Sequence, residues 1–528
     1  MKTLGIFDVI GPIMHGPSSN HTGGAVRIGY MARQIMNGCP DRFEIGLHPY
    51  TLPTYVGQHT HLGIISGLLG IREYEKDCNR AIDIASRKGH VWTVYGFDER
   101  LGRNTMQVRA QKNGIVWEIT GDSVGGGNII INAINGIPVM LDGNHHACVV
   151  IVPDKDALSC VTQAISKECS SYRLYLGDAP KGVLACYEIK GGPLSSSTMT
   201  RIKRACTLFH QINPLSIFVP AEEQEPLFSS FEDLVELCHG SSLREVAIRY
   251  ESARDKIARE KVLDQMERSL DVMLDTLERG KNGGISLIGE LTDPADGKKL
   301  LAHADQGNSI VGPSFAEALG NALITSEMNA SGERIVAAPT GGSSGILPAV
   351  LLALSRRFGL SKDRLLDGCF AAAVIGIIAG KDLYFSGTTS GCQGEVGISA
   401  GMAAGAAVIL AGGEPEAAFH ASAIAMKNLQ GLTCDLPASP IEVPCIKRNA
   451  IGTAIALAAA DMALAGVRSA ITPDDVCRSI SETAKLLPAC LRCTQDHGLG
   501  GTKSGNALKA RWKEKLDLLN RQNAVTSN

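Results

Sequence analysis

At 528 residues the chain is too long for one ordinary hydrophobic core, and two or three domains are expected. Hydrophobic residues at 44% against 20% charged exclude a disordered chain. A formal net charge of -3 with no long basic run, together with only 12 Phe, 10 Tyr and 3 Trp, excludes a nucleic-acid surface built on clustered cations or stacked rings.

The opening segment, MKTLGIFDVIGPIMHGPSSNHTGG, lacks a basic stretch followed by a long apolar core, so no signal peptide is expected. Fifteen cysteines without such a signal fit a reducing compartment, and a cytoplasmic location follows as an expectation. Residues 1–145 mix glycine-rich loops with short apolar runs. Strands are predicted at 43–47, 91–95 and 115–119, and a helix at 62–69. The stretch GDSVGGGN at 121–128 is too glycine-rich for a regular element. It reads as a loop whose backbone comes close to a ligand or to another segment.

Residues 146–222 read as strand 148–152, helix 157–169, strands 172–177 and 183–190, helix 195–209 and strand 215–219. That βαββαβ order predicts a ferredoxin-like unit. The charged stretch PAEEQEP at 220–226 reads as a linker. Residues 223–528 are predicted helical throughout, with one or two amphipathic helices across 242–277. The runs 400–411 and 454–465 are rich in alanine and glycine, which lets helices pack closely. The apolar stretch 450–467 carries Thr453 and Asp461, so it reads as a buried helix and not as a membrane span. The fold class expected is α+β multidomain, with an α/β-type first domain, a ferredoxin-like second and an all-α third.

Three cysteines stand in breaks between predicted helices: Cys392 in GCQGEVG, Cys434 in GLTCD and Cys445 in EVPCIKRNAIG. Thiolates are the ligands of iron–sulfur clusters, and three of them leave one iron open to substrate. On spacing alone, three ordinary buried cysteines fit as well. Cys490-x-x-Cys493 lacks a second pair, which argues against a zinc ribbon; both are expected as ordinary helix cysteines, with an approach to the cluster as the lesser alternative.

Those three motifs, with AAPTGGSSGILPAVLLAL at 337–354, closely resemble the α portion of bacterial iron–sulfur L-serine dehydratases. GPSSNHTGGAVRIG at 16–29 and GDSVGGGNI resemble that family's β portion, and the βαββαβ unit resembles its ACT-like module. The resemblance covers nearly the whole chain, in the order β, ACT-like, α. It implies a [4Fe–4S] cluster on Cys392, Cys434 and Cys445, with loss of water from L-serine to give pyruvate and ammonia and no need for pyridoxal phosphate. Ser18, Ser19, Asn20, His21 and Thr22 match the serine–histidine motif that holds a substrate carboxylate. His21, with Ser19 beside it, is the candidate proton carrier, since imidazole suits proton transfer near neutral pH. Thr340, Ser343, Gly125, Gly126 and Asn128 lie in loops that either face substrate or form tight turns. The partner expected is a small amino acid, with no nucleic acid and no membrane, and a homodimer is implied by resemblance.

The chain departs from the family pattern near its motifs. Asn20 replaces a serine, Gln58-His59-Thr60-His61 replaces His-Gly-Thr-Asp, and Gly341-Gly342-Ser343-Ser344 replaces Ala-Gly-Ser-Cys. The stretch Asp435-Leu-Pro-Ala-Ser-Pro-Ile441 replaces Asp-Pro-Val-Ala-Gly-Leu-Val. His59 or His61 is expected to stand in for the lost histidine. These changes imply the same chemistry with a choice among serine, threonine, cysteine and related β-substituted amino acids. The reading from a different class is an amino-acid-binding regulatory protein without turnover. The tail 521–528 has no cysteine, so the temporary C-terminal cluster ligand of one family branch is not expected.

Overall fold

The computed structural model describes residues 4–97, 100–215 and 225–525. A short strand β1 (Ile13–His15) precedes a six-stranded sheet made of β2 (Arg42–Leu47), β3 (Val91–Gly96), β4 (Thr105–Lys112), β5 (Ile115–Gly125), β6 (Asn128–Ile134) and β7 (Ile137–Leu141). The strand order is β3-β2-β4-β5-β6-β7, with only the β2–β3 pair parallel. Alternation explains the face that each strand buries. In β7, for instance, Ile137, Val139 and Leu141 turn inward while Pro138 and Met140 face out.

The glycine-rich stretch differs from expectation. Strand β5 continues through Gly121 to Gly125 and β6 resumes at Asn128, so the loop shrinks to Gly126 and Gly127. Gly125, Gly126 and Gly127 all have positive φ, which lets the chain reverse within a hairpin, and the ladder absorbs two register shifts on the way. Helices Gly24–Ile35 and Thr60–Leu69 cover the sheet. They cross so closely that a Cβ at Gly67 would collide with the backbone of Val26 and Tyr30.

The second unit has the expected order, with β8 (His146–Val152), β9 (Ser171–Ala179) and β10 (Gly182–Lys190) and helices Lys155–Ser166 and Ser196–Ala205. Its last strand, β11 (Leu208–Ile212), comes earlier than predicted. The helix expected to run to 209 stops at Ala205, because Leu208 to Ile212 pair with β8 and bury His210 and Ile212. Of the strand expected at 215–219 and the linker at 220–226, residues 216–224 lie outside the described residues. The sheet order is β11-β8-β10-β9, antiparallel throughout. Strand β8 is apolar on both faces for a reason. Ala147, Val149 and Ile151 pack towards the first sheet, while Cys148, Val150 and Val152 pack under the unit's own helices.

Beyond residue 225 the described chain is helical except for β12 (Arg334–Val336). The amphipathic stretch 242–277 forms two helices, Leu243–Asp255 and Arg259–Asn282. At the centre, helices Lys362–Ala379 and Val396–Leu410 are almost wholly buried. Among the described residues one segment, Cys392–Leu410, has the length and mean hydropathy (1.3) to cross a membrane, and 89% of it is buried inside this core.

The N-terminal residues belong to the helical core. Ile6, Val9, Ile10 and Ile13 pack in it, and β1 pairs antiparallel with β12. Glu73 braces the same junction. It is buried and receives Arg27 at 2.9 Å and Arg72 at 3.1 Å. Burial pushes its carboxyl up, but the two guanidinium groups outweigh that and hold it down at about 2. Its contribution is therefore fully present above the ordinary carboxylate range and is lost as pH falls towards 2. Glu73→Gln is expected to cost about 1–3 kcal/mol at neutral pH, because it removes the buried carboxylate from two partly buried arginines that keep only carbonyl partners. Thermal melts between pH 6 and pH 2 check this, since the variant should lose less on acidification than the parent.

Candidate active site

The pairing of β1 with β12 carries Pro17 to Gly23 to the loop that follows β12. Asn329 Nδ2 donates to the Pro17 carbonyl at 2.8 Å, and a Cβ at Gly341 would press on Pro17 O and Ser19 N at 3.1 and 3.2 Å. Residues Ser19–Gly23 form a wide helical turn capped by Ser18, whose Oγ accepts from the His21 amide at 3.1 Å. The turn feeds directly into helix Gly24–Ile35, which fixes its orientation.

The cysteines arrive from the helical side. Cys392 opens a short turn at the start of helix Val396–Leu410, and Cys445 is the first residue of helix Cys445–Leu464. Cys434 lies in an extended loop bridged to Arg492, with its N–H donating to Leu491 O and its carbonyl accepting from Thr494 N, both at 3.0 Å. One cavity collects all three cysteines together with Ser18, Asn20 and His21. Four motifs read separately in the sequence therefore meet in space.

The cavity favours a cationic guest. Burial raises the Cys445 thiol well above its ordinary range, and the contact with Cys434 together with burial does the same to Cys392. Thiols placed this way ionise only against strong positive charge, and thiolate is the form that binds metal. Arg448 supplies one charge, with Nη1 3.3 Å from Cys392 Sγ and 2.8 Å from Thr433 O, and Nη2 bound to Asp435 at 2.8 Å. Cys392, Glu395 and Cys434 place ligand atoms within 4.8 Å of one another. Burial pushes the Glu395 carboxyl up to about 7. The space among them is left open by a bare backbone, because a Cβ on Gly387 would lie 2.7 Å from Cys434 Sγ and 2.9 Å from Glu395 Oε2. The donor set, its burial and this opening fit a metal centre held by cysteine.

The other expected residues are distributed unevenly. Thr22 is buried and donates from Oγ1 to the Gln58 carbonyl at 2.8 Å, and Ser19 is buried in the turn. Gly342 lines the cavity, while Ser343 Oγ turns to the Ala338 carbonyl at 3.3 Å and to Thr340 Oγ1 at 3.2 Å. Gly126 and Asn128 line a second cavity with Asp8, Arg27 and Arg254, and Gly125 packs on the Phe385 backbone. Neither replacement histidine is among the residues that line the cysteine cavity. His61 stacks edge-on against Tyr55 at 4.9 Å, and His59 approaches Gly332. Gln58 takes that place. It is 1% exposed and both its amide Oε1 and Nε2 lack a partner, as does Nδ1 of His21. A buried polar group left unpaired costs about 1–3 kcal/mol.

Reading the sequence missed Gln58, Glu395 and Arg448 as site residues and ranked Cys493 second to an ordinary helix cysteine. Arg448 had a usable signal, since it follows Cys445 by one helical turn. Cys493 is a correction: neither it nor Cys490 lies in an α-helix. Cys490 sits in the short turn Ala489–Leu491, whereas Cys493 has a left-handed backbone (φ 56) and lines the cavity beside Cys434. The segments around Tyr50 and Arg103 hold that loop from outside. Tyr50 Oη donates to the carbonyls of Arg492 and Cys493 at 2.6 and 2.9 Å, and Arg103 covers the Tyr50 ring at 3.9 Å while donating to Ala489 O.

Comparisons with known proteins agree with this geometry. The family described as serine dehydratase alpha chain matches residues 238–500. Over 285 residues the chain is 37% identical to a probable L-serine dehydratase alpha chain of Bacillus subtilis (strain 168), which covers 54% of this chain and 94% of that one. It is 33% identical over 285 residues to the L-serine dehydratase alpha chain of Peptoniphilus asaccharolyticus, covering 54% of this chain and 97% of the relative. L-serine dehydratase 1 of Escherichia coli (strain K12) is 34% identical over 279 residues, 52% of this chain and 61% of its own length. The matches and the meeting of the three cysteine motifs on one cavity place the chain in the bacterial L-serine dehydratase family.

Proposed function

We propose that the protein is an L-serine ammonia-lyase that holds a [4Fe–4S] cluster on Cys392, Cys434 and Cys445. The observation that carries this reading is the shared cavity of those buried thiols with His21 and Ser18. Relatives named L-serine dehydratase support the choice of substrate. When bound, the cluster supplies a Lewis-acidic iron that weakens the bond to a substrate's β-hydroxyl.

The chain's own residues do the rest. Arg448 offsets thiolate charge next to Cys392 and is itself steadied by Asp435. Ser18 spends its acceptor on the His21 amide, which leaves its hydroxyl proton free to donate towards a carboxylate. Burial lowers His21 to about 4, so at neutral pH the imidazole is uncharged and able to accept the α-proton. The electron pair of that C–H bond forms the Cα–Cβ double bond as the hydroxyl departs with the C–O pair, and the proton held by His21 balances it to water. The resulting enamine tautomerises and hydrolyses to pyruvate and ammonia, with no net oxidation. The four-stranded unit of β8 to β11 is read as an ACT-like effector module, a reading supported by its strand order.

Anaerobic purification with iron and sulfide quantitation, followed by ammonia release from L-serine, L-threonine and L-cysteine, tests the proposal. A four-iron protein that turns over serine supports it. Turnover of another member of that panel alone rejects serine as substrate. Absence of a cluster after anaerobic reconstitution, with amino-acid binding retained, favours the regulatory binder.

A further inference from the structure

We infer that Gln58 is the residue that recognises the substrate as an α-amino acid, contacting its carboxylate and ammonium groups through one amide. The inference rests on the lyase reading and names the contact which that reading leaves unassigned.

The local backbone is committed elsewhere. Gln58 N donates to Thr54 O at 3.0 Å, and Gln58 O receives Thr22 Oγ1 at 2.8 Å. His59 then takes a left-handed conformation (φ 55) before helix Thr60–Leu69 begins. This turn sends His59 and His61 away and leaves the Gln58 side chain in the wall of the cysteine cavity. There it is 1% exposed, with neither Nε2 nor Oε1 paired.

The neighbours expected to grip the substrate are partly spoken for. Asn20 donates to Phe385 O and accepts from Ser123 Oγ, each at 3.4 Å, and Ser18 Oγ accepts from the His21 amide. Among the residues lining this cavity, Gln58 is the one whose side chain has both its polar atoms buried and unpartnered. A carboxamide cannot carry a proton at neutral pH, so its role is recognition. The ligand that satisfies both halves at once presents an acceptor and a donor on adjacent atoms. An α-amino acid does so with its carboxylate and ammonium, one bond either side of Cα. A site built around such paired hydrogen bonds rejects analogues that lack one of the groups.

The test uses the cluster-loaded protein and two variants, Gln58→Leu and Gln58→Glu. Kinetics are paired with calorimetric binding of L-serine, 3-hydroxypropionate (no ammonium) and ethanolamine (no carboxylate). Gln58→Leu is expected to raise KM and Kd for serine about 10–100-fold while kcat shifts only a few-fold and iron content holds. It should also lose the preference for serine over both analogues. Gln58→Glu keeps the acceptor and removes the donor, so it should retain preference over 3-hydroxypropionate and lose preference over ethanolamine. Iron-loaded variants that bind serine as the parent does, with discrimination intact, overturn the inference. A parent that binds serine through Gln58 without turning over any amino acid overturns the lyase reading and leaves this one standing.

Discussion

Cys434→Ala, purified without air, is expected to lose its cluster iron and more than about 100-fold of its serine turnover. Substitution of groups that merely support metal ligands already costs about 10–100-fold, so removal of a ligand should exceed that range. Cys434 sits on a loop secured by backbone bonds to Leu491 and Thr494. Those bonds survive truncation to alanine, so the fold should persist while the metal is lost. Cys369→Ala is the control. It removes an equally buried thiol from the middle of helix Lys362–Ala379, away from the cavity, and should change stability but not iron content. Equal iron in the Cys434 variant and its parent would sink the three-cysteine assignment.

His21→Asn is expected to lower kcat about 10²–10⁴-fold, the usual contribution of a positioned acid or base, with iron content unchanged. Asparagine keeps the polar shape of the turn and its amide still reaches Ser18 Oγ, so the loss reports on proton transfer. Burial lowers the imidazole to about 4, well below its ordinary 6.5. The parent should therefore remain active below pH 6.5, through the range where a solvent-exposed histidine base would already be protonated. The unfolded chain takes up a proton near 6.5 that the folded chain refuses until about 4. Stability should thus decline across that window, and the asparagine variant should lack this part of the decline. A kcat within threefold of the parent would assign proton abstraction to another group.

The sequence carried the element types well, because period-2 and helical patterns report burial directly. It misplaced β11 since Leu208 to Ile212 fit either a helix end or a strand, and only pairing with β8 decides between them. Strand β5 was recognised at 115–119 but its continuation was obscured by Gly121 and Gly125, whose missing side chains erase the alternation on which a strand is recognised. The three cysteines were legible from their motifs, but their convergence was not, because helix packing brings it about. Gln58 and Cys493 were hidden for a shared reason. Each reaches the cavity through a left-handed turn, at His59 and at Cys493 itself, which follows no periodic pattern.

Tyr50 and Arg103, reaching to the loop around Cys493, bear on how activity depends on dilution. The smaller part of the cavity wall comes from residues 17–58 and the larger part from residues 342–493, and one chain carries both. Tethering turns their meeting into an intramolecular step with an effective concentration on the order of millimolar. Assembly of the site is then independent of how much enzyme is in solution, and specific activity should hold constant as the protein is diluted into the nanomolar range.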